Sequence, residues 1–235
     1  MEPGRLARSD AGRGPRRGVG LRRLGVAALA GGLLWTGIGF EATSASARPT
    51  PAERVPLGRL YRDGPPPGFS GGFGESTCHA CHFDAEVNEP PGSVAVSGVP
   101  DRYSPGETYP LTITLTRPGM VLGGFQLTAR FEGGGAQAGT IAPAAGEEER
   151  VVVTESGGVL YAYHRVAGTL PVAPDTARWV VLWTAPGEPT GAVLFHVAAN
   201  AANGDDLVDG DYVYAVESRA EAGVTGPVEG RERKR

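Results

Sequence analysis

Cys78-His79-Ala80-Cys81-His82 sets two thiols three residues apart, with an imidazole directly after the second. This is the spacing of c-type haem attachment. Two thiols so spaced reach the two vinyl groups on one edge of a porphyrin and form thioethers. The following histidine then lies under the iron and supplies one axial nitrogen. These are the only 2 cysteines in the 235-residue chain. The motif predicts covalent haem c held by Cys78 and Cys81, with His82 as an axial iron ligand. Another reading of the same pair is a local disulfide in an oxidising compartment. A thiol-redox enzyme finds no surrounding βαβ pattern. Structural zinc needs four ligands, and only His79 and His82 lie close by.

A second axial ligand must come from elsewhere in the chain. His79 is too near along the chain to reach the opposite face of the same ring. His164, His196 and Met120 are the candidates, beside an open sixth position. His164 ends the run Tyr161-Ala162-Tyr163, where a side chain can project. His196 alternates with Phe195 and Val197 and so faces the other side of its sheet. A further candidate site is the stretch holding Asn200, Asn203, Asp205, Asp206, Asp209 and Asp211. Carboxylates and amides in a loop bind calcium, although no EF-hand spacing is present. No Ser/His/Asp triad, P-loop or HExxH can be assembled. The expectation is a non-enzymatic electron carrier or binding protein.

Haem c is attached after export, and the N-terminus carries an export signal. Seven arginines from Arg5 to Arg23 form a basic region, followed by an apolar stretch from Leu24 to Phe40. Ala45-Ser46-Ala47 is an A-x-A cleavage site, which places the cut before Arg48. The rival reading is an uncleaved membrane anchor. That stretch is at the short end for spanning a bilayer, and five glycines interrupt it. Residues 1–47 hold 7 of the 22 basic and 3 of the 26 acidic residues, so their removal leaves a net charge of −8. An acidic chain argues against nucleic acid or anionic lipid as a partner. It leaves the redox partner unidentified. The location is periplasmic, cell-surface or secreted.

The elements that must position the motif follow from pattern. Residues 48–91 are rich in Pro and Gly and read as irregular, with the motif inside them. No helical period flanks Cys78, so a haem here is either exposed or shielded by another part of the chain. From Gly92 the chain reads as all-β. Tyr109, Leu111, Ile113 and Leu115 alternate with threonines. Phe125, Leu127, Ala129 and Phe131 alternate with Gln126, Thr128 and Arg130. Val151–Thr154, Val159–Tyr163, Trp179–Trp183, Val193–Ala199 and Tyr212–Val216 are further strands. Those at 179–183 and 193–199 are nearly continuous apolar runs, as in strands buried on both faces or in a sandwich core. Turn signals such as Ser104-Pro105-Gly106 and Ser156-Gly157-Gly158 separate the strands. The pattern predicts a β-sandwich over 92–217. A charged, disordered tail is expected over 218–235.

Several strings resemble a reeler (Reelin-type) domain. Gly98-Val99-Pro100, Tyr103 to Tyr109 and Gly124 to Ala129 resemble its first half. Trp179, Trp183 to Pro186, Gly191 to Phe195 and Ala199 to Asp205 resemble its second half, and Gly210 to Tyr214 its end. Bacterial exported proteins of the choice-of-anchor V group carry this domain with a C-x-x-C-H just upstream, in a setting like Gly74-Glu75-Ser76-Thr77-Cys78. The resemblance covers about residues 68–217. It implies an immunoglobulin-like sandwich outside the cytoplasm, and little about activity. Eukaryotic relatives sit in adhesion proteins and beside haem-binding redox domains. The two functional expectations are an exported mono-haem electron carrier and a haem-free adhesion or ligand-binding module whose cysteines form a disulfide.

Overall fold

The computed structural model describes Tyr61 and residues 63–223. The expected signal peptide and cleavage site lie outside the described residues, as does the end of the tail. Among the described residues, ten strands form two sheets: β1 (Ser93–Ser97), β2 (Arg102–Tyr103), β3 (Thr108–Thr116), β4 (Leu122–Phe131), β5 (Thr140–Pro143), β6 (Val151–Ser156), β7 (Val159–His164), β8 (Thr176–Thr184), β9 (Val193–Ala202) and β10 (Tyr212–Ala222). One sheet has the order β1-β3-β8-β5, the other β2-β10-β9-β4-β7-β6. Pairing is antiparallel except between β2 and β10. The chain is the all-β sandwich that the alternation predicts. No helix among the described residues is long and apolar enough to cross a membrane.

The core lies between the sheets and is filled by inward-facing alternate residues. Leu111, Ile113 and Leu115 of β3 are fully buried, as are Trp179, Val181 and Trp183 of β8. Phe125 and Phe195 meet them from the larger sheet, with ring centroids 4.7 Å from Trp179 and 4.8 Å from Trp183. Such ring pairs add about 1 kcal/mol each beyond the area they bury. Both indole N–H groups are satisfied in the core, Trp179 donating to the Gly168 carbonyl and Trp183 to that of Ala138.

Three strands carry too little pattern to be predicted. β1, β2 and β5 are 5, 2 and 4 residues long and all lie at sheet edges, β5 ending on Pro143 as an edge strand can. The apolar run of β8 follows the sandwich-core alternative and not burial on both faces. Its inner face is buried, but Arg178 is exposed and Val180 and Leu182 are half-buried, so only one face packs into the core. β9 is buried on both faces, as its composition predicts. The sandwich also continues past residue 217. Glu217 to Ala220 pair with β9, and Glu221 and Ala222 pair with β2. The charged side chains are tolerated because they face outward while Ala220 enters the core. The expected tail is therefore strand as far as Ala222, and its remainder lies outside the described residues.

The second burial of β9 comes from the irregular segment. Residues 63–91 lie across the outer face of the six-stranded sheet. The Phe69 N–H donates to Gln126 Oε1 (2.6 Å), and Gln126 Nε2 donates to the Pro66 carbonyl (2.9 Å). Thr128 Oγ1 bonds Ser70 Oγ (3.3 Å). Farther along, the Asn88 N–H donates to the Val213 carbonyl and the Asn88 amide brackets Ala215. Gln126 and Thr128, which face outward on β4, are 0 % exposed in consequence. Buried polar groups persist only when bonded, and the segment supplies their partners.

Candidate functional site

Cys78–Ala80 form a single 3-10 turn. Thr77 caps it, its Oγ1 accepting the His79 N–H, and the N–H groups of Cys81 and His82 both donate to the Cys78 carbonyl. A 3-10 turn has three residues per turn, so side chains at i and i+3 eclipse. Cys78 and Cys81 therefore look to one side, and both line the same pocket. Both are free thiols. Burial pushes the Cys78 thiol up to about 12, with the neighbouring Cys81 adding to the rise. His79 turns away, its Nε2 3.0 Å from the Ala85 carbonyl.

His82 is held from the far side of the chain. Its Nδ1 lies 2.7 Å from Oδ2 of Asp211, a carboxylate 1 % exposed at the entry to β10. Asp211 is fixed in turn. Its Oδ1 accepts the Asn203 N–H (3.0 Å), and its Oδ2 accepts from Asn200 Nδ2 (3.2 Å). Asp84 reinforces the same junction by accepting the Gly210 N–H (2.7 Å). With Nδ1 occupied, Nε2 is the nitrogen of the His82 ring left to meet another group. No hydrogen bond engages that atom among the described residues.

The pocket has a volume of about 190 Å³. Its walls are mainly apolar, and Pro65, Pro66, Phe69 and Leu122 line it together with Cys78, Cys81 and His82. His164, at the end of β7, also lines it. The His164 ring has room because position 124 is glycine. A Cβ there would stand 2.6 Å from His164 Cε1. His164 Nδ1 sits 3.0 Å from the Phe125 N–H, which donates to it, and 3.3 Å from the Phe125 carbonyl. Burial pushes the imidazole down to about 4, against smaller opposing pulls from Phe125 and Asp63, while His82 adds to the lowering. His164 is therefore neutral at neutral pH, the state in which imidazole binds a metal.

His196 and Met120 lie elsewhere. His196 Nε2 pairs with Glu217 Oε2 across β9 and β10 (2.8 Å), and Phe73 packs edge-on against its ring. Gly72 lets the loop approach that ring, since a Cβ there would come within 2.4 Å. Met120 belongs to the core cluster. Neither residue lines the pocket. The acidic stretch is also divided. Asp205 accepts from Leu207 N–H and Asn203, and Asp211 is committed to His82. No three His, Cys, Asp or Glu side chains form a metal-binding group among the described residues.

The donor set fits a covalently attached haem. Two thiols face one side, an imidazole is anchored through one nitrogen with the other free, and a mainly apolar cavity holds a second neutral imidazole. Two of the contributing residues escape sequence reasoning. Asp211 looks like one carboxylate among several in a loop. Gly124 carries a usable signal, because a glycine pair at the head of a strand pattern marks close approach by another group.

Fold and site together define a two-sheet β-sandwich with a thiol–thiol–imidazole pocket on the outer face of its larger sheet. A scan of protein-family models finds no match to the chain, and a search of curated proteins finds none. Solved structures do resemble it. The human F-spondin reeler domain is 22% identical over 59% of this chain and 93% of that one, with a TM-score of 0.41. The Reelin-N domain of F-spondin is 21% identical over 61% of this chain and 96% of that one, also at 0.41. A cohesin module from a Clostridium perfringens family 33 glycoside hydrolase is 11% identical over 56% and 98%, at 0.37. These are likenesses of the sandwich alone.

Proposed function

We propose that this chain is an exported mono-haem c-type protein that transfers electrons outside the cytoplasm. The observation that carries this reading is the convergence of Cys78, Cys81, His82 and His164 on one pocket, with His82 anchored by Asp211. Cys78 and Cys81 would hold the haem through thioethers, each formed by adding S–H across a vinyl double bond with no atom lost. The bound group supplies a one-electron iron couple.

The protein's own residues do the rest. His82 would offer Nε2 to the iron. His164 is the candidate for the other axial position: its Nδ1 accepts the Phe125 N–H in the structure, and it would offer Nε2 only by exchanging that bond for an Nδ1–H bond to the Phe125 carbonyl. The mainly apolar walls would pack against the group. The segment 63–91, packed on the larger sheet, replaces the helices that wrap a small helical cytochrome. Export rests on the arginine-rich, apolar, A-x-A arrangement of residues 1–47.

The test is a pyridine haemochrome spectrum of the full-length protein, made with its own signal in a host that matures haem c and denatured before reading. A c-type spectrum that stays with the polypeptide, and is lost in the Cys78→Ala, Cys81→Ala double variant, is expected. A colourless product beside working controls overturns the reading and leaves a haem-free ligand-binding sandwich.

A further inference from the structure

We propose that Asp211 is a positioning residue that fixes His82 as the Nδ1–H tautomer and, through that bond, makes the site one of low reduction potential. The inference rests on the haem reading above and deepens it.

The hydrogen-bond arithmetic decides the tautomer. Two of the groups around Asp211, the Asn203 N–H and the Asn200 amide nitrogen, are donors, and an ionised carboxylate only accepts. The third group is His82 Nδ1 at 2.7 Å. An Nε2–H ring would set the Nδ1 lone pair against a carboxylate lone pair at that distance. An Nδ1–H ring makes a short charge-assisted bond instead. The Asn200 nitrogen, 3.3 Å from the same Nδ1, cannot usefully donate there and turns to Asp211.

The consequence is electronic. A carboxylate bonded to the remote N–H of a ligating imidazole raises the basicity of the ligating nitrogen. Asp211 is 1 % exposed, so water does not compete for the bond. A more basic donor with a buried anion behind it favours the ferric over the ferrous state. The sequence offers no hint of this, since 129 positions separate the two residues.

The experiment has two arms. In the loaded full-length protein, the midpoint potential is measured for wild type, Asp211→Asn and Asp205→Asn. Both variants remove one carboxylate charge from the same region, but only Asp211 touches His82. Asp211→Asn is expected to raise the ferrous-to-ferric ratio at fixed potential at least about tenfold, or about 59 mV for one electron. Asp205→Asn is expected to move it by a small fraction of that. Equal shifts, or none, overturn the proposal. The second arm needs no variant and no haem. An imidazole nitrogen-15 spectrum of the full-length haem-free chain, taken where the ring is neutral, is expected to show His82 protonated at Nδ1. Protonation at Nε2 overturns the assignment of Asp211, even where Asp211→Asn fails to fold. A missing haemochrome in wild type overturns the haem reading, and with it the potential, while the spectrum still judges the tautomer.

Discussion

Glu75 Oε1 lies 2.8 Å from Arg130 Nη1 and accepts the Tyr161 hydroxyl at 2.6 Å, three residues before the first thiol. Glu75 Oε2 accepts Ser70 Oγ at 2.6 Å. One carboxylate thus ties the segment that carries Cys78, Cys81 and His82 to β4 and β7. Burial and the contact with Glu75 push the Tyr161 hydroxyl up to about 12, so it remains a donor across the working range. Arg130 also stacks on Phe73, its guanidinium carbon 4.4 Å from the ring centroid.

Replacing Glu75 with Ala leaves Arg130 and Tyr161 without their acceptor in a site where both ion-pair partners are only 15% exposed. The expected loss is about 2 kcal/mol of unfolding free energy, smaller than for a fully buried pair. Urea unfolding measures it. Amide exchange is expected to rise first in residues 69–82, because that segment loses its attachment while the sandwich keeps its core.

At position 124 the room for His164 comes from a missing methyl. Gly124→Ala sets that methyl against the imidazole at 2.6 Å. The ring must leave the pocket wall or the strand must shift. A cost of about 1–3 kcal/mol is expected. His164→Ala made on the Gly124→Ala background is expected to recover part of it, which a double-mutant cycle reads directly.

His164 also sets a pH dependence in the haem-free chain. Its folded-state value of about 4 lies below the unfolded value near 6.5. Between these pH values the unfolded chain binds a proton that the folded chain does not, so stability rises with pH. The contribution is full above about 6.5 and is lost as pH falls to about 4, by roughly 3 kcal/mol. Unfolding curves at several pH values for wild type and His164→Gln are expected to converge as the pH falls.

Cys78 is expected to be a slow nucleophile in the folded haem-free chain. Burial raises its thiol from 9.0 to about 12, which cuts the thiolate fraction near pH 8 roughly a thousandfold. Iodoacetamide labelling followed by peptide mass spectrometry should therefore modify Cys78 far more slowly in the folded chain than in urea. Equal rates in the two states would contradict the burial.

What could be read in the chain is local chemistry. Cys78, Cys81 and His82 announce themselves because the pattern they form is a spacing within a few residues, and spacing is a property of sequence. The alternation of Leu111, Ile113 and Leu115 with threonines announces a strand for the same reason, since the two-residue period is local. Only the tertiary structure brought His164, and not His196, to the pocket of Cys78, Cys81 and His82, because that depends on where β7 and β9 meet the segment 63–91 and not on anything near either histidine. It alone buried Gln126 and Thr128, whose alternation with apolar residues marks them as outward-facing but does not show that a second layer covers that face. It alone took Asp211 out of the acidic stretch and set it behind His82. Strand register and the docking of one segment on one sheet make that pair, and such contacts between distant positions leave no mark in the residues that flank them.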